Sequence, residues 1–349
     1  MDSITQATLG AAVGEAVLGR QLGWRAMVLG GIVGTLPDLD ILLYPFLDEI
    51  AKLYWHRGLS HSMLFTILVS PILGWLIGLR FRSFGVTKPR ATLFVFLVWS
   101  THVLIDCFTT YGTQIYEPFS SERFSFHIFF IIDPLYTLPL LLGLIIALFF
   151  PRESLARRRI NGLGLILSSL YVVWAFTAKA IIEPKFERAF ADNGISPKRY
   201  FTTPTPFNTI LWRCLAEDDE GYWSGYYSLL DPDADIQFRR IERRAELMPP
   251  DVSQSEAAET ARWFSEDYYQ VTKTAPGEWI LSDLRLGEYP RRDQKGILQY
   301  DTVLAWKLSQ QEDGTVQFLT QWSEERGGEK ILQRIWARML GEKDALTRP

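Results

Sequence analysis

All four histidines of the sequence fall between residues 56 and 127, and aspartates accompany them. His56 and His61 lie in Trp55-His56-Arg57-Gly58-Leu59-Ser60-His61-Ser62, and Asp38 and Asp40 in Pro37-Asp38-Leu39-Asp40. His102 and Asp106 stand four apart, which puts both on one face of a helix. His127 and Asp133 bracket the start of a later apolar run. Imidazole and carboxylate together suit zinc, iron or manganese better than calcium. Eight candidate metal ligands (Asp38, Asp40, His56, His61, His102, Asp106, His127 and Asp133) exceed what one tetrahedral zinc needs. Two or more divalent ions, zinc first among them, are therefore expected, and such clusters clamp phosphoryl groups. Asp40, Arg57 and Asp106 are the expected catalytic residues. The carboxylates would orient histidines, and a guanidinium suits phosphate oxygens. Blander roles compete for single residues. Asp38 can cap a turn after Pro37, Asp133 can start the helix that follows it, and a lone His127 can be a packing residue.

These side chains must be positioned by membrane helices. Residues 1–183 are strongly apolar, whereas 184–349 are polar and charge-rich, so a membrane domain over 1–183 and a soluble domain over 184–349 are expected. A helical span needs roughly 20 apolar residues. Five stretches qualify: about 26–43, 63–79, 91–108, 128–150 and 160–183. Residues 3–19 carry Gln6, Glu15 and glycines, and read as a re-entrant or interfacial helix packed against the others. The start lacks a basic n-region, so no secretory signal peptide is expected. Gly10 with Gly14, and Gly30 with Gly34, have the spacing that lets helix backbones approach closely.

Orientation follows from basic residues in short loops. Loops 80–90 and 151–159 carry eight, and loops 44–62 and 109–127 carry three. The first two are expected in the cytoplasm, which turns the second two, and the chain after residue 184, outward. Every His/Asp candidate then sits at one depth on the outer side. An ionisable group inside the membrane costs ~2.5–3.5 kcal/mol and usually faces the protein interior for a functional reason.

Pro37-Asp38-Leu39-Asp40, His56 to Ser62, and His102-Val103-Leu104-Ile105-Asp106, together with Thr109 to Gly112 and Pro118, resemble the YdjM-like family of inner-membrane metal-dependent hydrolases over about residues 1–150. That family is distantly similar to zinc-dependent phospholipase C and the single-strand-specific nucleases, which act on phosphodiesters with a multinuclear zinc cluster. The resemblance implies a hydrolase with ligands at Asp38, Asp40, His56, His61, His102 and Asp106. Many members open with a Thr-His pair where this chain has Thr5-Gln6, and Gln is a poor zinc ligand.

In the soluble half, 236–241, 279–286, 303–308 and 316–322 alternate as half-buried strands do. Ser255 to Tyr269 reads as an amphipathic helix, and 203–208 as a turn-rich linker into the domain. A small extracytoplasmic α+β domain is expected, with Trp212, Tyr222, Trp223, Tyr226 and Tyr227 more readily core than ligand surface. The net charge of -4 and the lack of a basic stripe exclude nucleic acid. Cys107 and Cys214 support neither a disulfide framework nor a zinc motif. The expected activity is a metal-dependent hydrolase acting on a phosphoester of a membrane lipid or lipid-linked substrate. The alternatives are a transporter or ion-handling protein with a buried Asp/His relay, or a non-catalytic anchor for the soluble domain.

Overall fold

The computed structural model describes residues 1–233, 235–292, 298–322 and 328–346. The chain divides into two compact units. The first comprises Met1–Phe46 with Tyr54–Thr177, and the second Leu47–Leu53 with Ala178–Pro349.

The first unit is helical. Asp2 caps α1 (Ser3–Leu22) by accepting from the Ile4 and Thr5 amides, as short acidic side chains do at helix starts. Gly23, at φ 59°, turns the chain into α2 (Trp24–Thr35). The two helices touch backbone to backbone along the glycines. A Cβ on Gly10 would lie 2.3 Å from the Gly30 carbonyl oxygen, and one on Gly14 would lie 2.4 Å from that of Ala26. Any larger residue would force the helices apart. Glu15, which interrupts the apolar run of α1, is buried and receives both arms of Arg157 at 2.6 and 2.8 Å. This pairing lets α1 pack inside the unit.

A 3-10 helix, Pro37–Phe46, follows α2 at a bend of 46°. After α3 (Glu49–Trp55), Ser62 caps α4 (Met63–Arg80) through the Phe65 amide at 3.1 Å. Then come α5 (Lys88–Asp106), α6 (Pro134–Ala147) and α7 (Leu155–Asp192), the last contributing residues to both units.

Among the described residues, only α4 and α7 are long and apolar enough to cross a bilayer, with a third span if α2 and the bent 3-10 helix count as one. The expectation of five spans is thus not reproduced. The stretch 91–108 forms α5, whose polar His102 and Asp106 face inward among buried Phe94, Val95, Val98 and Trp99. The stretch 128–150 becomes helical only at Pro134, since Asp133 caps α6. Its 14 residues rise about 21 Å, short of the ~30 Å hydrocarbon core. Residues 3–19 belong to a full helix packed against α2 and α5, as the expected packing required.

The second unit holds two four-stranded antiparallel sheets. β1 (Arg199–Pro204), β2 (Leu211–Glu217), β3 (Gly221–Ser228) and β4 (Phe238–Glu242) form one; β5 (Tyr269–Ala275), β6 (Glu278–Arg292), β7 (Leu298–Gln310) and β8 (Val316–Trp322) form the other. Short helices α8 (Pro250–Ser253), α9 (Glu256–Phe264) and α10 (Gly328–Met339) complete it. Helix α9 stops earlier than expected, because Glu266 and Asp267 take positive φ. The expected linker 203–208 is instead the end of β1 and the loop of the β1–β2 hairpin. Asn208 shapes that loop by accepting from the Ile210 and Leu211 amides at 2.9 and 2.8 Å. Trp212 and Tyr222 are fully buried core residues, and both cysteines are free and buried.

Candidate metal centre

Four helix ends deliver the site. The end of α2 leads into Asp38, the start of α4 follows His61, and the last turn of α5 carries His102 and Asp106. The start of α1 brings Gln6 alongside. One ligand atom from each of Asp38, His61, His102 and Asp106 lies within 4.8 Å of the other three. His61 Nε2 is 3.3 Å from Asp38 Oδ1 and 3.4 Å from Asp106 Oδ2. His102 Nε2 is 3.5 Å from each of the same two oxygens. The two Nε2 atoms are 3.1 Å apart. His61, His102 and Asp106 are buried, and Asp38 is the most exposed of the four, at 23 % of its side chain.

The far sides of the imidazoles decide what the near sides present. His102 Nδ1 lies 2.6 Å from the Gly34 carbonyl oxygen. A carbonyl only accepts, so Nδ1 holds the proton and Nε2 turns a lone pair into the site. The glycine seam of α1 and α2 brings the backbone of Gln6 against Gly34: a Cβ on Gly34 would sit 2.9 Å from the Gln6 carbonyl oxygen. His61 Nδ1 is 2.9 Å from Ser60 Oγ, which donates onward to Asp40 Oδ2 at 3.5 Å. This relay likewise leaves His61 Nε2 facing inward, as outer partners of metal-binding histidines do.

Asp106 is held from one side. Its Oδ1 accepts from the Met1 amino group, from Gln6 Nε2 at 3.0 Å and from Arg57 Nη2 at 3.1 Å. Its Oδ2 is buried and accepts no hydrogen bond among the described residues. A buried carboxylate oxygen left bare costs about as much as a lost charged hydrogen bond, and here it points at two imidazole nitrogens. Gln6 Oε1 is also buried without a partner among the described residues. The donor set therefore fits a divalent cation: two imidazole nitrogens and two carboxylates, preset, with the second oxygen of Asp106 left unpartnered among the described residues.

The other sequence candidates lie outside this group. Asp40 shapes the loop, accepting from the Arg57 amide at 3.0 Å and meeting His56 Nδ1 at 3.2 Å. That contact holds Arg57 at φ 57°, where a non-glycine residue is strained. His56 packs edge-on against Tyr111, with ring centroids 5.4 Å apart. The Arg57 guanidinium is buried against Tyr111, and its terminal nitrogens go to Asp106 and to Thr109 Oγ1 at 3.1 Å. His127, at φ 52°, has Nδ1 3.2 Å from Ser125 Oγ. Asp133 caps α6 through the Leu135 amide and accepts from the Tyr171 hydroxyl at 2.9 Å.

Sequence reading overlooked Gln6 as a donor, Gly34 as a carbonyl partner and Ser60 as a relay. Their only signal was a polar or glycine residue on an apolar helix or beside a histidine.

Residues 1–182 match the profile of the YdjM inner membrane protein family. The chain belongs to that family. It is also similar to inner membrane protein YbcI of Escherichia coli (strain K12), 32 % identical over 123 residues, which cover 35 % of this chain and 69 % of the relative. No solved structure matches significantly. The matched region contains all four grouped ligands and ends before the two sheets begin.

Proposed function

We propose that the helical unit is a membrane-bound, metal-dependent hydrolase that cleaves a phosphoester of a lipid or lipid-linked substrate. Asp38, His61, His102 and Asp106 would hold the ion. The observation that carries this reading is the bare Asp106 Oδ2 facing two imidazoles whose other nitrogens are already engaged. Zinc suits four such ligands, and iron or manganese are the next choices. When bound, a divalent ion supplies Lewis-acid activation of water and of a phosphoryl oxygen.

The chain's own residues do the rest. Arg57, Gln6 and the Met1 amino group hold the first oxygen of Asp106 and so aim its second. Asp40, through Ser60, keeps His61 in the tautomer that presents Nε2. Asp38, the most exposed of the four, marks the side from which substrate enters. The charge asymmetry of the loops supports an opening, and a second unit, on the non-cytoplasmic side.

The test is a hydrolysis panel on purified full-length protein, stripped with chelator and reloaded with zinc, manganese or iron(II). The substrates are bis-p-nitrophenyl phosphate and short-chain phospholipids. Turnover is expected only after reloading, and it should fall to background in His61→Ala. Protein that binds the ion yet hydrolyses nothing in the panel would remove the hydrolase reading while leaving the metal centre.

A further inference from the structure

The second unit contains a preset cationic cavity, outside the region shared with the family. Arg213 on β2 is almost wholly buried and donates to Ser224 Oγ at 3.1 Å, the Leu284 carbonyl at 2.6 Å and Glu288 Oε2 at 2.8 Å. Glu288 is also buried, and the same oxygen accepts from Arg239 Nη2 on β4 at 2.7 Å. Among the described residues, two guanidiniums thus share one carboxylate, which gives the group a net positive charge. Arg239 carries that surplus outward. Its side chain is about one-third exposed, and its guanidinium lies 3.7 Å from the Tyr300 ring centroid.

Beside it is a cavity of about 360 Å³, lined by Tyr226, Gln237, Phe238, Arg239, Glu288, Tyr300 and Leu346. This is within the range of small-ligand sites. Arg239 Nε and Nη1, the hydroxyls of Tyr226 and Tyr300, and the Gln237 carboxamide hydrogen-bond to no described residue. Stacking on Tyr300 and the Glu288 contact hold the guanidinium in one plane, so little freedom is lost when it binds. The free Nε–H and Nη1–H lie in one plane but on different edges, so each can donate to an oxyanion oxygen singly. The three aromatic rings offer contact to an apolar body attached to it.

We infer that this cavity binds a phosphomonoester, with the phosphate on Arg239 and the organic group between Tyr226, Phe238 and Tyr300. A purely structural role for Arg213, Glu288 and Arg239 would tie the two sheets together equally well, but it leaves the unpaired donors and the adjoining space without use.

The test is isothermal titration of the full-length protein in detergent with phenyl phosphate, inorganic phosphate and benzyl alcohol. Phenyl phosphate is expected to bind more tightly than inorganic phosphate, and benzyl alcohol not at all. Arg239→Gln should weaken phenyl phosphate at least about tenfold, the loss expected for a charged hydrogen-bond pair. Tyr226→Phe, which removes only an unpartnered hydroxyl and leaves packing intact, should weaken it by a smaller factor. His61→Ala should leave it unchanged. Phosphatidic acid in nanodiscs that competes with phenyl phosphate identifies a lipid headgroup as the source, and absence of competition identifies a soluble phosphomonoester; both uphold the site. No heat from phenyl phosphate, or equal binding by wild type, Arg239→Gln and Tyr226→Phe, would overturn it.

Discussion

Both units bury charge, but they close their accounts of it differently. In the second unit, Arg285 is fully buried, and its donors go to Asp283 at 2.8, 3.2 and 2.9 Å, to Glu266 at 2.6 Å and to the Phe264 carbonyl. Arg338 and Asp231 pair there with both arms, at 2.9 and 2.8 Å. Those groups are satisfied, and they fix the fold. In the helical unit, three donors converge on one oxygen of Asp106, and its other oxygen is left bare before two imidazoles. Satisfied buried charge marks architecture; a bare carboxylate oxygen beside oriented lone pairs marks a site for a cation.

Substituting both carboxylates breaks or sharpens that contrast. Asp106→Ala strands the Met1 amine, Arg57 and Gln6 without an acceptor, and Asp283→Ala strands Arg285. Each is expected to cost ~3–5 kcal/mol, as uncompensated buried charges do, read by denaturant unfolding. Added zinc should raise the melting temperature of the Asp283→Ala protein and not that of Asp106→Ala. Equal zinc responses would erase the distinction between the two regions.

Gly30→Val drives a side chain into the Gly10 carbonyl, where a Cβ would lie at 2.2 Å. Overpacking of this kind costs ~1–3 kcal/mol, and displacing α2 should also move Gly34 from His102. The expected outcome is a lower melting temperature together with weaker metal binding. Asp40→Asn keeps the loop's shape but weakens the relay to His61, so metal affinity should fall about 10–100-fold, the usual cost of losing an outer partner. Dye-competition titration measures it.

The smallest effect lies in the second unit. Burial pushes the Asp218 carboxyl up, but the Arg240 guanidinium, the Trp223 indole and the Glu220 and Gly221 amides outweigh it and hold the pKa at about 2. A folded pKa below the usual ~3.9 stabilises the fold above that value, and the gain is lost as pH falls through about 2. The melting-temperature difference between wild type and Asp218→Asn should be full at pH 6 and mostly lost by pH 2.

Much of this was legible in the sequence because it depends on spacing. The four grouped ligands are all among the eight that residue type and depth selected, and the strand read over 316–322 is β8. The glycine spacing pointed to the seam that now explains the position of Gly34. The span count did not carry over, because apolar length alone cannot say whether a helix faces lipid or its neighbours. Helix α5 turns His102 and Asp106 to a buried face while Leu93, Phe96 and Leu104 stay exposed, and α6 waits for Asp133-Pro134 to begin. The division of the eight candidates into four that meet and four that do not was invisible too. It rests on which loop Asp40 braces and which helix Asp133 caps, and both depend on residues far apart in the chain.

The most direct test is elemental analysis of full-length protein purified without chelator, wild type beside His102→Ala and His56→Ala. About one tightly held divalent ion per chain is expected in wild type and in His56→Ala, and close to none in His102→Ala. Wild-type protein without a retained ion, or a His102→Ala protein that keeps as much as wild type, would contradict the metal centre.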